Sequence, residues 1–98
     1  MSANSELIRE YLEVHSKYTE KYGDRIVILY QIGDFYELYG NENFLYKVCY
    51  DALDIHFRKI PTETNMYTGG FPIKAVSKYT RLLLNKEYLV ILCNQVDN

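Results

Sequence analysis

This chain has two cysteines, two prolines, two histidines and no long apolar run, and each shortage narrows what it can be. Cys49 and Cys93 form neither a disulfide framework nor a zinc-ligand spacing, and both sit in apolar contexts that predict buried free thiols. No segment approaches the roughly 20 apolar residues of a membrane span. The polar opening Met1-Ser2-Ala3-Asn4-Ser5 does not read as a secretory leader. An intracellular protein with no membrane partner is the expectation. His15 and His56 have no partner at metal or nucleophile spacing, and no Ser/His/Asp arrangement occurs. Gly69-Gly70 lacks the Lys-Ser/Thr of a phosphate-binding loop. The acids Asp34, Glu37 and Glu42 could suggest a glycosidase or a small nuclease-like domain, but carboxylates on exposed turns are commonplace and the pairing that such chemistry needs is not encoded in sequence spacing. The sequence predicts no catalytic residues, no metal site and no cofactor in this chain.

What is abundant is tyrosine, eleven in 98 residues, a side chain that packs at one end and hydrogen-bonds at the other. Charge is unevenly spread. Residues 1–55 carry five basic and ten acidic side chains, whereas residues 56–86 carry six basic and one acidic. Such sign asymmetry hints at a surface facing a polyanion.

The length suits one domain, 1–98, with a single core. Leu7, Ile8, Tyr11, Leu12, Val14, Tyr18 and Tyr22 recur at helical spacing, with Asn4 or Ser5 as cap and Gly23 as terminator. Arg25 to Ile32 is apolar with little alternation, as in a strand covered on both faces. Gly33-Asp34 then reads as a two-residue hairpin turn into Phe35 to Tyr39. Asn41 or the following acid, Glu42, opens a second helix with Phe44, Leu45, Val48, Cys49, Ala52 and Leu53 on its apolar face. Ile55 to Ile60 and Met66 to Thr68 read as short strands, the second ending before Gly69-Gly70. Pro72 begins a third helix whose face is Ile73, Val76, Leu83 and Leu84 with Tyr79 and Thr80, followed by a last strand, Tyr88 to Cys93. The expected class is α/β, a mixed sheet of about five strands flanked by three helices.

Alternation along the second hairpin strand sends Phe35 and Glu37 to one face and Tyr36 and Leu38 to the other. An aromatic ring and a carboxylate thus stand side by side near an exposed turn. Alone, they read as a core residue and a solvated one. Lys74, Lys78 and Arg81, at i, i+4 and i+7, form a basic stripe that with Arg58 and Lys59 could contact phosphates. A solvated helix face is the better-supported reading of the stripe.

The ordered set Ile28 to Tyr39 (with Gly33-Asp34-Phe35-Tyr36-Glu37), Ala52-Leu53-Asp54-Ile55, Met66 with Gly69-Gly70-Phe71-Pro72, Ala75-Val76, Tyr79 and Val90 to Gln95 resembles the amino-terminal mismatch-recognition domain of the MutS family over about the whole chain. The resemblance implies that Phe35 stacks on a mispaired base from the minor groove and kinks the duplex, and that Glu37 hydrogen-bonds that base. The carboxylate would accept an N–H, or a protonated carboxyl would donate to a ring nitrogen. Gly33 and Asp34 would shape the turn, with Tyr36 packed inward. It further implies that the chain is a fragment of a longer protein with clamp, lever and ATPase domains. That parent would use ATP and magnesium and bind mismatched double-stranded DNA. Its partners would be a second MutS-like subunit and downstream repair factors. The segment His56-Phe57-Arg58-Lys59, Phe71 before the proline, and Asn94-Gln95 in place of Glu-Gln depart from the family pattern. The alternative is a structural or protein-interaction domain of the same fold that does not touch the base.

Overall fold

The computed structural model describes residues 5–94; Asn4 as helix cap, and Gln95 of the closing motif, lie outside them. Helix α1 spans Ser5–Tyr22, and Gly23 follows it with a φ of 97°. Strands β1 (Ile26–Ile32) and β2 (Phe35–Gly40) form the expected hairpin. Helix α2 (Glu42–Leu45) is capped by the Asn41 side chain, which accepts from the Phe44 N–H at 2.8 Å. It runs directly into a π-helical stretch, Tyr46–Leu53. Strands β3 (Phe57–Lys59) and β4 (Tyr67–Pro72) follow, then a 3₁₀ turn (Ile73–Ala75), helix α3 (Val76–Asn85) and strand β5 (Leu89–Cys93).

The strands form one mixed sheet in the order β3-β4-β2-β1-β5, antiparallel throughout except where β5 runs parallel to β1. Central strand β1 begins with Ile26-Val27-Ile28-Leu29, all fully buried, as its unbroken apolar run requires. One face carries α1, whose Tyr11 ring meets Tyr30 and Tyr39 edge-on at 5.4 and 5.1 Å. The Tyr11 hydroxyl donates to the Ile28 carbonyl at 2.7 Å, so a buried acceptor on β1 is satisfied from the helix above it. The other face carries the π-helical stretch and α3, which packs Tyr79 on Phe71 with ring centroids 4.5 Å apart.

Several expectations need correction. The second helix is π-helical over most of its length; Leu45, Cys49 and Leu53 recur every four residues, slightly longer than an α-turn, and the wider helix keeps them buried in line. Its end is an αL residue, Asp54, with its N–H on the Cys49 carbonyl. Gly69 and Gly70 do not end a strand: β4 runs through both. A Cβ on Gly69 would lie 2.6 Å from Cys49 Sγ, and one on Gly70 would lie 2.5 Å from the Tyr36 carbonyl oxygen. These glycines permit close packing rather than a turn. Leu12, Tyr22 and Leu84 are exposed rather than core, and Leu82 packs where Leu84 was expected. Both thiols are free, Cys49 buried and Cys93 half-buried; burial pushes the Cys49 thiol up to about 12 and Cys93 upward.

His15 sits between the rings of Tyr11 and Phe44, and burial lowers its imidazole from the ordinary 6.5. The unfolded chain therefore takes up a proton at higher pH than the folded one. Stability should fall as the pH drops below about 6.5, down to the folded-state value. His15→Leu is expected to flatten this acid limb when urea melts at pH 5 and pH 7 are compared. An undiminished limb would assign the effect to other groups.

Candidate nucleic-acid interface

The hairpin tip determines where Phe35 and Glu37 point. Gly33 takes a φ of 61° while Asp34 does not share a positive φ, the pattern of a tight reversal with glycine first. The turn closes on the pair Ile32 and Phe35. Across the sheet Phe35 pairs with Pro72, and the Asp34 carbonyl accepts the Ile73 N–H at 2.9 Å. The tip is therefore tied on both sides to regular structure and holds its side chains at a fixed height.

From this base the alternation works as expected. Tyr36 turns inward, is buried, and its hydroxyl donates to Asn94 Oδ1 at 2.6 Å. Phe35 points outward and is 44% exposed, and Glu37 beside it is half-buried. Both lie on the face that α1 covers, but toward the β2-β4-β3 end. There an open cavity of about 270 Å³ forms over the sheet, lined by Phe35, Glu37, Thr68, Gly70, His56 and Arg58. Gly70 pairs directly with Glu37, and a Cβ there would approach Glu37 Cγ to 3.2 Å, so the glycine leaves the carboxylate room.

Of the basic residues considered, only Arg58 joins this cavity. Lys74 lies in the 3₁₀ turn immediately after the segment tied to the hairpin, whereas Lys78 and Arg81 lie on α3. Because α3 packs on Phe71, and Phe71 faces away from Gly70, that helix lies behind the sheet. Lys78 instead lies 5.1 Å from the ring of its neighbour Tyr79. The three-residue stripe thus does not extend the cavity.

Sequence reasoning missed Tyr39. Its hydroxyl donates to Glu37 Oε1 at 2.7 Å, and the same alternation that pairs Phe35 with Glu37 puts Tyr39 next in line. Burial first, and the Glu37 carboxylate second, push the Tyr39 hydroxyl upward. Nearby, the Tyr30 hydroxyl donates to Glu10 at 3.0 Å and is pushed up to about 12, by burial and then by Glu10. Among the described residues no group of three or more His, Cys, Asp or Glu is placed to hold a metal ion, and no helix is long and apolar enough to cross a membrane.

The pattern of MutS domain I matches residues 5–98. The chain is 32% identical over 95 residues to the DNA mismatch repair protein MutS of Chlorobium chlorochromatii, covering 97% of this chain and 10% of that protein. The proteins of the same name from Trichodesmium erythraeum and Fusobacterium nucleatum are 28% identical over 107 residues and 26% over 100 residues. Each of these matches covers 100% of this chain and 10% of the relative. The chain thus spans about a tenth of the length of the relatives it matches. With the five-stranded mixed sheet, its three helices and the Gly-Asp-Phe-Tyr-Glu hairpin already in place, this match settles the family: the chain belongs to MutS domain I.

Proposed function

We propose that this chain probes double-stranded DNA for mispaired or unpaired bases, with Phe35 as the wedge and Glu37 as the hydrogen-bonding group. The observation that carries this reading is an exposed aromatic ring held beside a half-buried carboxylate on a doubly anchored hairpin tip. A phenylalanine 44% exposed at such a tip contributes little to the fold and can insert at a base step. Wedging costs a few kcal/mol of unstacking. A mismatched step has less stacking and pairing to lose, so discrimination arises from deformability. A carboxylate near phosphates disfavours intact duplex, while an extruded base can satisfy it. Gly33 and Asp34 serve by shape, and Tyr36 anchors the strand.

On this reading the 98 residues are a domain-sized piece that does the probing. ATP hydrolysis with magnesium, the second subunit and the contacts to downstream repair factors belong to the rest of a longer protein. Alone, a chain of net charge −2 with few cations near the tip releases few counterions and binds DNA weakly. Binding at low salt, measured by anisotropy on duplexes with and without one unpaired thymine, tests the reading. Preference for the unpaired base supports it. Equal affinity favours the alternative, a domain that keeps the fold without touching the base.

Arg58 is the cation best placed to meet a phosphate beside the wedge. Arg58→Ala should weaken matched and mismatched binding alike and reduce the slope of log K against log salt by about 0.9. A selective loss on mismatched DNA would instead assign Arg58 to the base.

A further inference from the structure

Among the described residues Glu37 has one hydrogen-bond partner. Among the described residues the only ion pair is Arg9 with Glu13, so no cation neutralises Glu37, although Arg58 lines the same cavity. Tyr30, directly across the strand pair from Glu37, gives its hydroxyl to Glu10. Thr68, also in the cavity wall, gives its hydroxyl to the Leu38 carbonyl at 3.0 Å. That leaves the Tyr39 hydroxyl, at 2.7 Å from Oε1. The Tyr39 ring is 1% exposed and packed edge-on against Tyr11, so its position is set by the core. Only its hydroxyl proton is free to turn.

We infer that Tyr39 is a positioning residue that holds Glu37 as a hydrogen-bond acceptor and so selects extruded bases presenting an N–H donor. The inference rests on the reading of Glu37 as the base-contacting group. A tyrosine hydroxyl that donates to one carboxylate oxygen places that oxygen in the acceptor role and restricts rotation of the group. The second oxygen, which has no partner among the described residues, is then presented beside Phe35. An imino N–H, as on thymine or guanine, satisfies it. A base offering only a ring acceptor leaves two acceptors facing each other, an unpaired arrangement of the kind that costs most in a desolvated site. A tyrosine hydroxyl is protonated at neutral pH in any case, and burial pushes that of Tyr39 further upward, so it stays a donor across the physiological range. The bare wedge, in contrast, is indifferent to which base is extruded, since every base has a stacking face.

The test compares duplexes carrying one unpaired thymine with duplexes carrying difluorotoluene, the apolar isostere of thymine that lacks the N–H. Wild type should bind the thymine duplex about tenfold more tightly, the effect of one hydrogen bond to a charged group. Tyr39→Phe removes a single oxygen and should cut that preference to about twofold while leaving affinity for the isostere duplex unchanged. In a Glu37→Ala background, Tyr39→Phe should have no further effect on the preference, a non-additivity that a merely structural role does not produce. Should Tyr39→Phe lower the melting temperature severely, 4-aminophenylalanine at the same position supplies a donor again and should restore both stability and preference. An undiminished preference in Tyr39→Phe, or an effect that adds in full to that of Glu37→Ala, overturns the inference. A DNA-free arm separates the two levels. The ¹³C resonance of the Glu37 carboxyl should move in Tyr39→Phe, and an unmoved resonance denies the contact itself. Wild type that fails to distinguish the two duplexes while that resonance does move defeats the proposed role of Glu37, and base selection with it.

Discussion

Replacing Phe35 with Ala is expected to remove the preference for mismatched over matched duplex and leave the fold intact. Stacking of an aromatic side chain on a base contributes roughly 1–3 kcal/mol, so mismatch affinity should fall by roughly fivefold to 150-fold. Affinity for matched DNA, where the wedge gains little against intact stacking, should hardly change. The fold should tolerate the substitution because the ring is 44% exposed. The hairpin is held instead by Gly33, the Ile32 and Phe35 backbone pair and the Ile73 N–H on the Asp34 carbonyl. Equilibrium binding to both duplexes, with a thermal melt as control, reads the outcome. Retained discrimination in a folded Phe35→Ala protein would place recognition on other residues.

The second large effect is on stability. Tyr11 is fully buried, meets Tyr30 and Tyr39 with its ring, and satisfies the Ile28 carbonyl with its hydroxyl. Tyr11→Ala should cost about 3–5 kcal/mol, as truncation of a large buried aromatic does. That is a large share of the roughly 5–15 kcal/mol that keeps a domain folded. Tyr11→Phe isolates the hydroxyl and should cost about 1–2 kcal/mol, because a buried carbonyl loses its partner. Urea denaturation of both variants checks the division. A Tyr11→Ala protein less than about 1 kcal/mol weaker than wild type would mean that α1 is not clamped to the sheet through this residue. The same loss should reach the site, since Tyr11 braces Tyr39, which in turn holds Glu37.

The parts of the fold readable from sequence are those in which one local signal has one physical meaning. The unbroken run Ile26-Val27-Ile28-Leu29 can be accommodated only by a strand covered on both sides, and it forms the sheet centre. Gly33-Asp34 between two β-prone runs can reverse the chain with little strain, and it does. Gly69-Gly70 misled because glycine marks both turns and close approach. Which meaning applies depends on Cys49 and the Tyr36 carbonyl, both distant in sequence. The misplaced Leu84 has a different origin. The third helix starts as a 3₁₀ turn at Ile73–Ala75, whose three residues per turn shift the phase of the α-helical residues beyond it. Counting 3.6 residues per turn from Ile73 therefore puts Leu84 inward and Leu82 outward, the reverse of the arrangement that forms.

At the site, alternation sufficed to pair Phe35 with Glu37, and the same rule carried on two residues reaches Tyr39. The Tyr39 bond to Glu37 is a matter of side-chain reach, which spacing does not encode. Arg58 and the lysines of the third helix were indistinguishable as charges along a chain. Only the sheet order, which brings β3 beside β4 and places α3 behind, separates them.

The most direct measurement is an NMR titration of the 98-residue chain with a short duplex bearing one G·T mismatch or one unpaired base, against the matched duplex at the same low salt. The account predicts shifts centred on Phe35 and Glu37, larger for the mismatched DNA and lost in Phe35→Ala. Equal shifts for both duplexes, spread over Lys74, Lys78 and Arg81 with Phe35 unmoved, would contradict it.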